Sequence, residues 1–265
     1  MSNIKDNLGI NNSIMTMDWK FPLGARRFEG IAPDLKFGRN PAVGATEVTI
    51  WDGEIGYPFL SAAEILQVVS DDVKDVFETG DGAWSISITG LDANWDEITE
   101  IVELNGTTTV ETTNKFLRVF RASVINAGVV TSTNGNNVGA ISITSKSTSK
   151  LQAKILAGIG QTLMLVRTVP RGYTALVTGI SFSVGEGKDC IVIAKTRSNL
   201  FDNAAFNTKY TLDLFEANYY ATLESPFYVP EKTDIVWNAT SSAAGTKVSG
   251  SFGYILVKNE LIEKA

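Results

Sequence analysis

The 265-residue chain contains no histidine and a single cysteine, Cys190. Without an imidazole it cannot form a Ser-His-Asp triad, a Cys-His pair or a histidine metal site, each of which needs a group that titrates near neutrality. One thiol excludes an intrachain disulfide and a cysteine-rich zinc site. Cys190 lies inside an apolar run, so we predict a small buried side chain. These absences argue against most enzyme classes, and we expect no catalytic residue, no cofactor and no metal ion.

Long apolar runs and an excess of basic charge are also missing. No stretch approaches the roughly 20 apolar residues that cross a bilayer, and residues 1–7 lack the basic start and apolar run of a signal peptide. The net charge of −6 does not attract the whole molecule to nucleic acid or anionic lipid. We therefore expect synthesis in a cytoplasm, no membrane partner and no direct nucleic-acid contact.

Residues 1–45 contain many glycines and prolines, yet they also carry large apolar side chains that a flexible tail would lack. This pattern predicts an extended N-terminal arm that becomes ordered against another surface. An arm folded back on its own sheets is the alternative. The residues we expect to contact a partner through this arm are Trp19, Phe21, Arg26, Arg27, Phe28, Lys36 and Arg39.

From about residue 46 onward the apolar pattern has a period of two, which is typical of half-buried strands. Trp84, Ile86 and Ile88, for example, alternate with small polar residues before Gly90. Short strands with few helices predict an all-β fold of antiparallel β-sandwich type, jelly-roll-like or Greek-key. A polar spacer divides the strands into two blocks, residues 46–148 and 149–265.

Two segments carry local predictions. Glu97–Leu104 and Thr107–Thr113 flank Asn105-Gly106, which predicts a β-hairpin with a type I′ turn. Residues 61–78 fit either a capped helix or a strand followed by an acidic loop. We favour the strand and loop, because the apolar run is short and β-branched.

Few residues in the strand-rich region indicate a metal, sugar-binding or catalytic site. The acidic loop 71–81 offers carboxylates for calcium, but its spacing matches no EF-hand, and a solvated loop is the simpler interpretation. Trp84 and Trp237 are predicted to pack in the core, whereas Trp95 lies at a turn and is the better candidate for stacking on a sugar. A two-carboxylate glycosidase site among residues 92–100 is the least supported alternative.

Three strings in the chain carry a resemblance to a known group of proteins: Gly82–Asn94, Glu97–Thr107 and Asn137–Ile143. They resemble virion structural proteins of tailed bacteriophages, among which several β-rich members act as head cement or decoration proteins. Thr168–Tyr173 and Pro230–Ile235 are similar to segments common in such β-sandwiches. None of these strings is a catalytic motif, and residues 1–45 have no counterpart in the resemblance.

The resemblance implies a role in a virus particle. We expect a non-enzymatic protein, made in the host cytoplasm, that binds and stabilises the capsid lattice on the phage head surface. Its expected partners are the major capsid protein and other copies of itself, as a trimer or dimer. Alternatives are a tail, neck or baseplate component, and a glycan-binding adhesion module that uses Trp95. Deleting residues 1–40 is expected to abolish capsid attachment and leave the β-region folded.

Overall fold

A computed structural model describes residues 20–128, 135–185 and 188–262 of the protein. Over these residues the chain forms antiparallel β-sheets and two short helices, α1 (Lys20–Gly24) and α2 (Asn259–Ile262). The predicted all-β antiparallel sandwich is confirmed. Within the same ranges, none of the helices has the length and apolar character required to traverse a bilayer.

The C-terminal sandwich consists of two facing sheets. Sheet I has the strand order β1 (Ile31–Val43), β16 (Thr246–Lys258), β11 (Tyr173–Val184), β14 (Asn218–Val229). Sheet II has the order β10 (Val166–Thr168), β15 (Thr233–Thr240), β12 (Asp189–Ser198), β13 (Asn207–Phe215), and β2 (Val48–Thr49) also pairs with β15. The core joins the two faces through Trp237 of sheet II, whose ring lies 4.8 Å from that of Phe182 in sheet I.

The N-terminal sandwich is built in the same way from two smaller sheets. Sheet III has the order β6 (Val110–Phe116), β3 (Glu64–Ser70), β8 (Ile141–Ser145), β9 (Leu151–Ile155). Sheet IV has the order β5 (Glu97–Glu103), β4 (Ala83–Leu91), β7 (Arg118–Ala127). The core of the N-terminal sandwich includes Ile86 and Ile88 from sheet IV and Ile141 and Ile143 from sheet III.

Bulges change which side chains face the core. In β11 the buried residues Ala175 and Val177 are followed by Ile180 and Phe182, because a bulge between Val177 and Gly179 shifts the alternation by one residue. In β4, bulges on both sides of Ser85 interrupt the pattern in the same way. Trp84 is consequently only half-buried, so its predicted place in the core with Ile86 and Ile88 is wrong.

The two local predictions have opposite outcomes. Residues 64–70 form β3 and are followed by the acidic loop, as we favoured. The predicted hairpin is wrong, because β5 pairs with β4 in sheet IV and β6 pairs with β3 in sheet III. The Asn105-Gly106 turn therefore carries the chain from one sheet of the sandwich to the other.

Residues 31–43 belong to the body of the protein. Over residues 31–40, β1 pairs continuously with β16, and Gly38 packs so closely on the backbone of Ile50 and Leu165 that a side chain has no room. This corrects the expectation that residues 31–43 are part of an arm ordered against a partner, because they follow the folded-back alternative instead. Residues 1–19 lie outside the described residues, so an arm over that part stays a prediction.

The strands also group differently from the boundary we placed at residue 148. β8 and β9 lie on either side of that boundary, and they pair with each other in sheet III. The core of the N-terminal sandwich further includes Met164, Val166 and Val236. The two sandwiches therefore share packing at their junction.

Candidate functional site

Asp75, in the acidic loop after β3, organises one end of the N-terminal sandwich. Its carboxylate is fully buried and accepts four hydrogen bonds. The donors are the backbone N–H groups of Ala83, Val138 and Gly139, at 2.8, 2.8 and 2.9 Å, and Ser70 Oγ at 2.6 Å. Hydrogen bonds to an ionised acceptor are stronger than neutral ones. Asp75 therefore fixes the loop to the nearby start of β4 and to residues 138–139, which are distant in sequence.

The segments that meet at Asp75 are those that carry the resemblance. Its carboxylate binds backbone from Gly82–Asn94 and from Asn137–Ile143. From the third string, the Gly106 N–H donates to the Asp75 carbonyl at 2.8 Å. The three strings are thus close in space. They share an architectural role, because together they close one end of the sandwich around a buried carboxylate.

Other acidic residues of the loop order it in the same way. Asp71 accepts the N–H of Ala140 at 2.7 Å, and Asp72 accepts the N–H of Lys74 at 2.8 Å. Within residues 20–128, 135–185 and 188–262, no group of three or more carboxylates is arranged to hold a metal ion. Three carboxylates of this loop, those of Asp71, Asp72 and Asp75, thus bind backbone N–H donors, which is a different use from the calcium site considered above.

A buried ionic network joins the two sandwiches. Arg118 at the start of β7 donates from Nε and Nη2 to the two carboxylate oxygens of Asp234 in β15, at 2.8 and 3.1 Å, and both side chains are buried. Arg197, Asn199 and Thr168 donate to the same carboxylate. Burial raises the pKa of Asp234, but the charge of Arg118 and the hydrogen bonds from Arg118, Asn199 and Thr168 together outweigh burial, so this pKa is lowered overall. Sequence reasoning missed this network; its only signal is a charged residue inside each of two apolar β-runs.

Lys36 is the predicted contact residue whose place differs most from expectation. It points from β1 into the junction between the sandwiches, where it is fully buried and its Nζ donates to the carbonyl of Phe120 in β7. Burial lowers the pKa of Lys36 well below its ordinary value, and the charges of Arg121 and Arg167 lower it further. Lys36 is therefore a contact within this chain, not an anchor exposed to a partner.

Arg167 lies beside Lys36 and is also buried. Its guanidinium carbon lies 3.8 Å from the centre of the Phe120 ring, and its Nη2 donates to Glu97 at 2.7 Å. Its Nε and Nη1 are buried and have no hydrogen-bond partner among the described residues. A second set of charged groups thus lies at the same junction as the Arg118–Asp234 pair.

The remaining predicted contact residues lie near the start of the described chain. Trp19 lies outside the described residues, and Phe21 lies in α1. Arg26 and Arg27 are exposed directly after α1, and Arg26 adopts a left-handed backbone conformation with φ of 53°. Phe28 is half-buried. This short segment leads from residues 1–19 into β1, and it keeps two cationic side chains at the surface.

Arg39, the last of these residues, is half-exposed on β1 and its Nε binds Asp52 Oδ1 at 3.2 Å. Asp52 is buried, and this burial raises the pKa of its carboxyl despite the neighbouring Arg39. The ion pair ties β1 to the loop that follows β2. Arg39 therefore also has a role inside the chain.

Trp95 lines a cleft of about 220 Å³ together with Phe59 and the exposed Phe201. Its backbone is left-handed, with φ of 68°, and its ring centre lies 5.2 Å from the guanidinium carbon of Arg118. The ring thus already packs on a buried cation of the junction. Trp237, as predicted, is buried in the core, and so is Cys190, where burial raises the thiol pKa to about 12.

Comparison with known proteins adds little to this geometry. No family model matches the chain, and no curated protein matches it. A solved structure of T=1 particles derived from infectious bursal virus aligns with 87% of this chain and 70% of its own, at 11% identity and a TM-score of 0.19. A structure of the Gt strain of infectious bursal disease virus aligns with 89% of this chain and 83% of its own, at 11% identity and a TM-score of 0.11. At such TM-scores neither alignment carries an argument about fold or function.

Proposed function

We propose that this chain is a non-enzymatic structural protein of a virus particle, which binds and stabilises the capsid lattice as a cement or decoration protein. Such a protein needs a rigid body, a means of attachment and no turnover chemistry. Its proposed partners are the major capsid protein and other copies of the same chain. A tail, neck or baseplate location is the second candidate.

One observation carries the proposal. The three strings that resemble phage virion proteins meet around the buried Asp75 and serve to close a β-sandwich. The resemblance therefore lies in an architectural feature. The buried charges Arg118 and Asp234 likewise bind each other across the two sandwiches. These buried side chains make the protein rigid, and rigidity is what a structural role in a particle requires.

Exposed apolar side chains support association with other chains. Phe215 at the end of β13 is 73% exposed, and Tyr220 and Tyr228 on β14 are 77% and 60% exposed. β13 and β14 are the last strands of sheets II and I on the same side of the sandwich. Exposed aromatic side chains on edge strands are typical of surfaces that pair with another chain.

Copy number and position in purified particles test this proposal. Quantitative mass spectrometry should find the protein in virions in hundreds of copies, and an affinity-labelled chain should appear on the head by electron microscopy. About six or twelve copies at one vertex or on the tail would instead favour the second candidate. Absence from purified particles, together with turnover of a substrate by the free protein, would contradict both.

A further inference from the structure

The outer face of sheet I, on the side away from the core, carries a long groove. Phe252 and Tyr254 of β16 point into the core, so the residues that alternate with them point outward. A hollow of about 510 Å³ lies over these outward residues, and a second hollow of about 340 Å³ continues it and shares lining residues of β11 and β16 with it. Together the two hollows follow β16 from Ile255 to Ser249, a length of about 20 Å at the usual rise of a strand.

This groove lacks charge where the solvated face of a sheet normally carries it. Leu35 of β1 and Tyr220 of β14 stand at its two sides and are 49% and 77% exposed. Between them, the lining positions of β11 and β16 are held by the uncharged residues Thr178, Gly179, Ser181, Ser251, Gly253 and Ile255. An antiparallel sheet with one face in water usually presents polar side chains there, and an exposed apolar patch marks a binding surface. The groove therefore has the character of a surface that another segment covers.

The chain itself reaches the groove at α1. Pro22 and Leu23 of this helix are buried, and Leu23 lines the groove together with Pro33 and Leu35. Residues 14–19 directly precede α1, so they are tethered within a few positions of the groove. A short tether gives an effective concentration of the order of 1 mM, so that even a site with a Kd of about 0.1 mM is about nine-tenths occupied by its own chain. The tether therefore favours residues of the same chain over any free partner.

The sequence of this segment suits the groove in pattern and in length. Met15, Met17 and Trp19 alternate with polar residues, which is the period of an extended segment with one apolar face. Six extended residues reach about 20 Å, the length of the groove. An extended chain over residues 14–19 can therefore place its apolar side chains on the groove and its polar side chains in solvent.

We propose that residues 14–19 dock in the groove of their own chain and cover the outer face of sheet I in the free protein. The apolar side chains of Met15, Met17 and Trp19 contact the groove. An equilibrium of about ten to one adds little to the stability of the whole fold. The docking needs no particle, and attachment of the arm to another surface requires the segment to leave the groove first.

A nitroxide spin label on Thr16→Cys in the full-length chain tests the docking by NMR. Position 16 is on the polar side of the segment, and the native thiol of Cys190 is buried with its pKa raised to about 12, so the label reacts at the introduced thiol. The amide signals of Gly179 and Gly253 in the groove should lose most of their intensity, whereas that of Gly106 in the other sandwich should keep it. Groove signals that keep their intensity would overturn the proposal.

A mixing experiment identifies the chain that supplies the segment. Spin-labelled protein without isotope is added to an equal amount of isotope-labelled protein that carries no spin label. Docking within one chain should leave the groove signals of the isotope-labelled protein unchanged. Broadening of the same signals in this mixture would instead assign the groove to the segment of a second copy and would overturn the proposal.

Variants on both sides of the contact separate docking from proximity. In the spin-labelled chain, Met17→Ser should restore the groove signals, whereas Asp18→Ser, on the polar side of the segment, should leave them broadened. Gly253→Gln should also restore the signals of the other groove residues by filling the groove; a side chain there meets only Thr178, at an ordinary distance of 3.6 Å. Groove signals that stay broadened in Met17→Ser would contradict the proposal. If Gly253→Gln fails to fold, the two segment variants still decide the question.

Discussion

Individual buried charges have the largest predictable effects in this protein. Lys36 is an amine held in a fully buried position beside two arginines, with the carbonyl of Phe120 as its hydrogen-bond acceptor. A lysine in that environment is favoured in its neutral form, and releasing its proton at neutral pH costs free energy of folding. The residue is therefore a source of instability at pH 7, in spite of its hydrogen bond.

Lys36→Met should stabilise the protein at pH 7, by about 1–3 kcal/mol, since it removes the cost of deprotonating or burying the amine while filling the same space. Chemical denaturation measures the free energy of unfolding directly. Lys115→Met, at an exposed position on β6, is the control and should change it little. A clear loss of stability in Lys36→Met would show that the hydrogen bond to Phe120 outweighs the burial of the amine.

The pH dependence provides an independent test of the Lys36 environment. Because its pKa is lowered in the folded state, the unfolded chain binds more protons at any pH between that lowered value and about 10.4. The Lys36 contribution to stability therefore rises with pH across this window. The advantage of Lys36→Met should shrink between about pH 7 and pH 10; an advantage that stays constant would mean that the pKa of Lys36 is ordinary.

Asp75 is the corresponding case for a buried carboxylate. Asp75→Asn should destabilise the protein by about 3 kcal/mol, because an amide NH₂ would face backbone N–H donors that now bind an oxygen. Thermal unfolding of Asp75→Asn and of the exposed control Asp81→Asn measures the difference. Calcium should leave the melting temperature of the unaltered protein unchanged, since the Asp75 carboxylate already has four donors. A rise in melting temperature on addition of calcium would instead indicate that the loop binds the metal.

At the scale of secondary-structure elements, β1 is the decisive strand. It forms the edge of sheet I along β16 and places Lys36 and Arg39 against residues from elsewhere in the chain. The deletion of residues 1–40 considered from the sequence would remove most of this strand. A truncation that tests the arm without removing β1 must therefore end before α1, at residue 19.

Deletion of residues 1–19 should leave circular dichroism spectra and the melting temperature nearly unchanged, whereas deletion of residues 1–40 should lower the melting temperature strongly or prevent folding. The reason is that the longer deletion exposes β16 and part of the core of the C-terminal sandwich. The shorter variant then tests the arm: we expect it to fold and to lose binding to particles. Full particle binding by the shorter variant would reject the role of residues 1–19.

At the scale of the whole molecule, buried ionic groups decide how the two sandwiches are held together. Arg118 and Arg197 share the carboxylate of Asp234, so that removal of this one acid leaves two cations without their counterion. The network crosses from β7 in one sandwich to β15 in the other. Lys36 of β1 and Arg167 of β10 lie at the same junction, where both contact Phe120.

Asp234→Asn should lower the free energy of unfolding by about 3–5 kcal/mol, the usual range for breaking a buried ion pair. Denaturation curves for this variant and for the exposed control Asp213→Asn on β13 provide the measurement. Because the pKa of Asp234 is lowered by folding, its contribution is present above about pH 4 and is lost as the pH falls from there toward the lowered value. Asp234→Asn should consequently lose less stability than the unaltered protein in that acid range, and equal acid sensitivity would contradict the assignment.

The sequence by itself determined the class of fold and several local features. Alternating apolar residues indicate a strand with one buried face, and this signal is local, so it identified β3, the all-β class and the buried positions of Cys190 and Trp237. The lack of histidine likewise excluded whole classes of chemistry on composition alone. The partner-binding role of residues 1–19 stays a prediction, because it depends on another surface.

Only the tertiary structure decided which strands and charges meet. Alternation shows that a strand has a buried face, but it does not identify the neighbouring strand. The pairing of β1 with β16 and the separation of β5 from β6 therefore could not be predicted from the sequence. The same holds for Asp75, Arg118 and Lys36, whose partners lie far away in sequence. A charged side chain inside a β-run is stable only if distant donors or acceptors converge on it, and that convergence is a property of the folded chain.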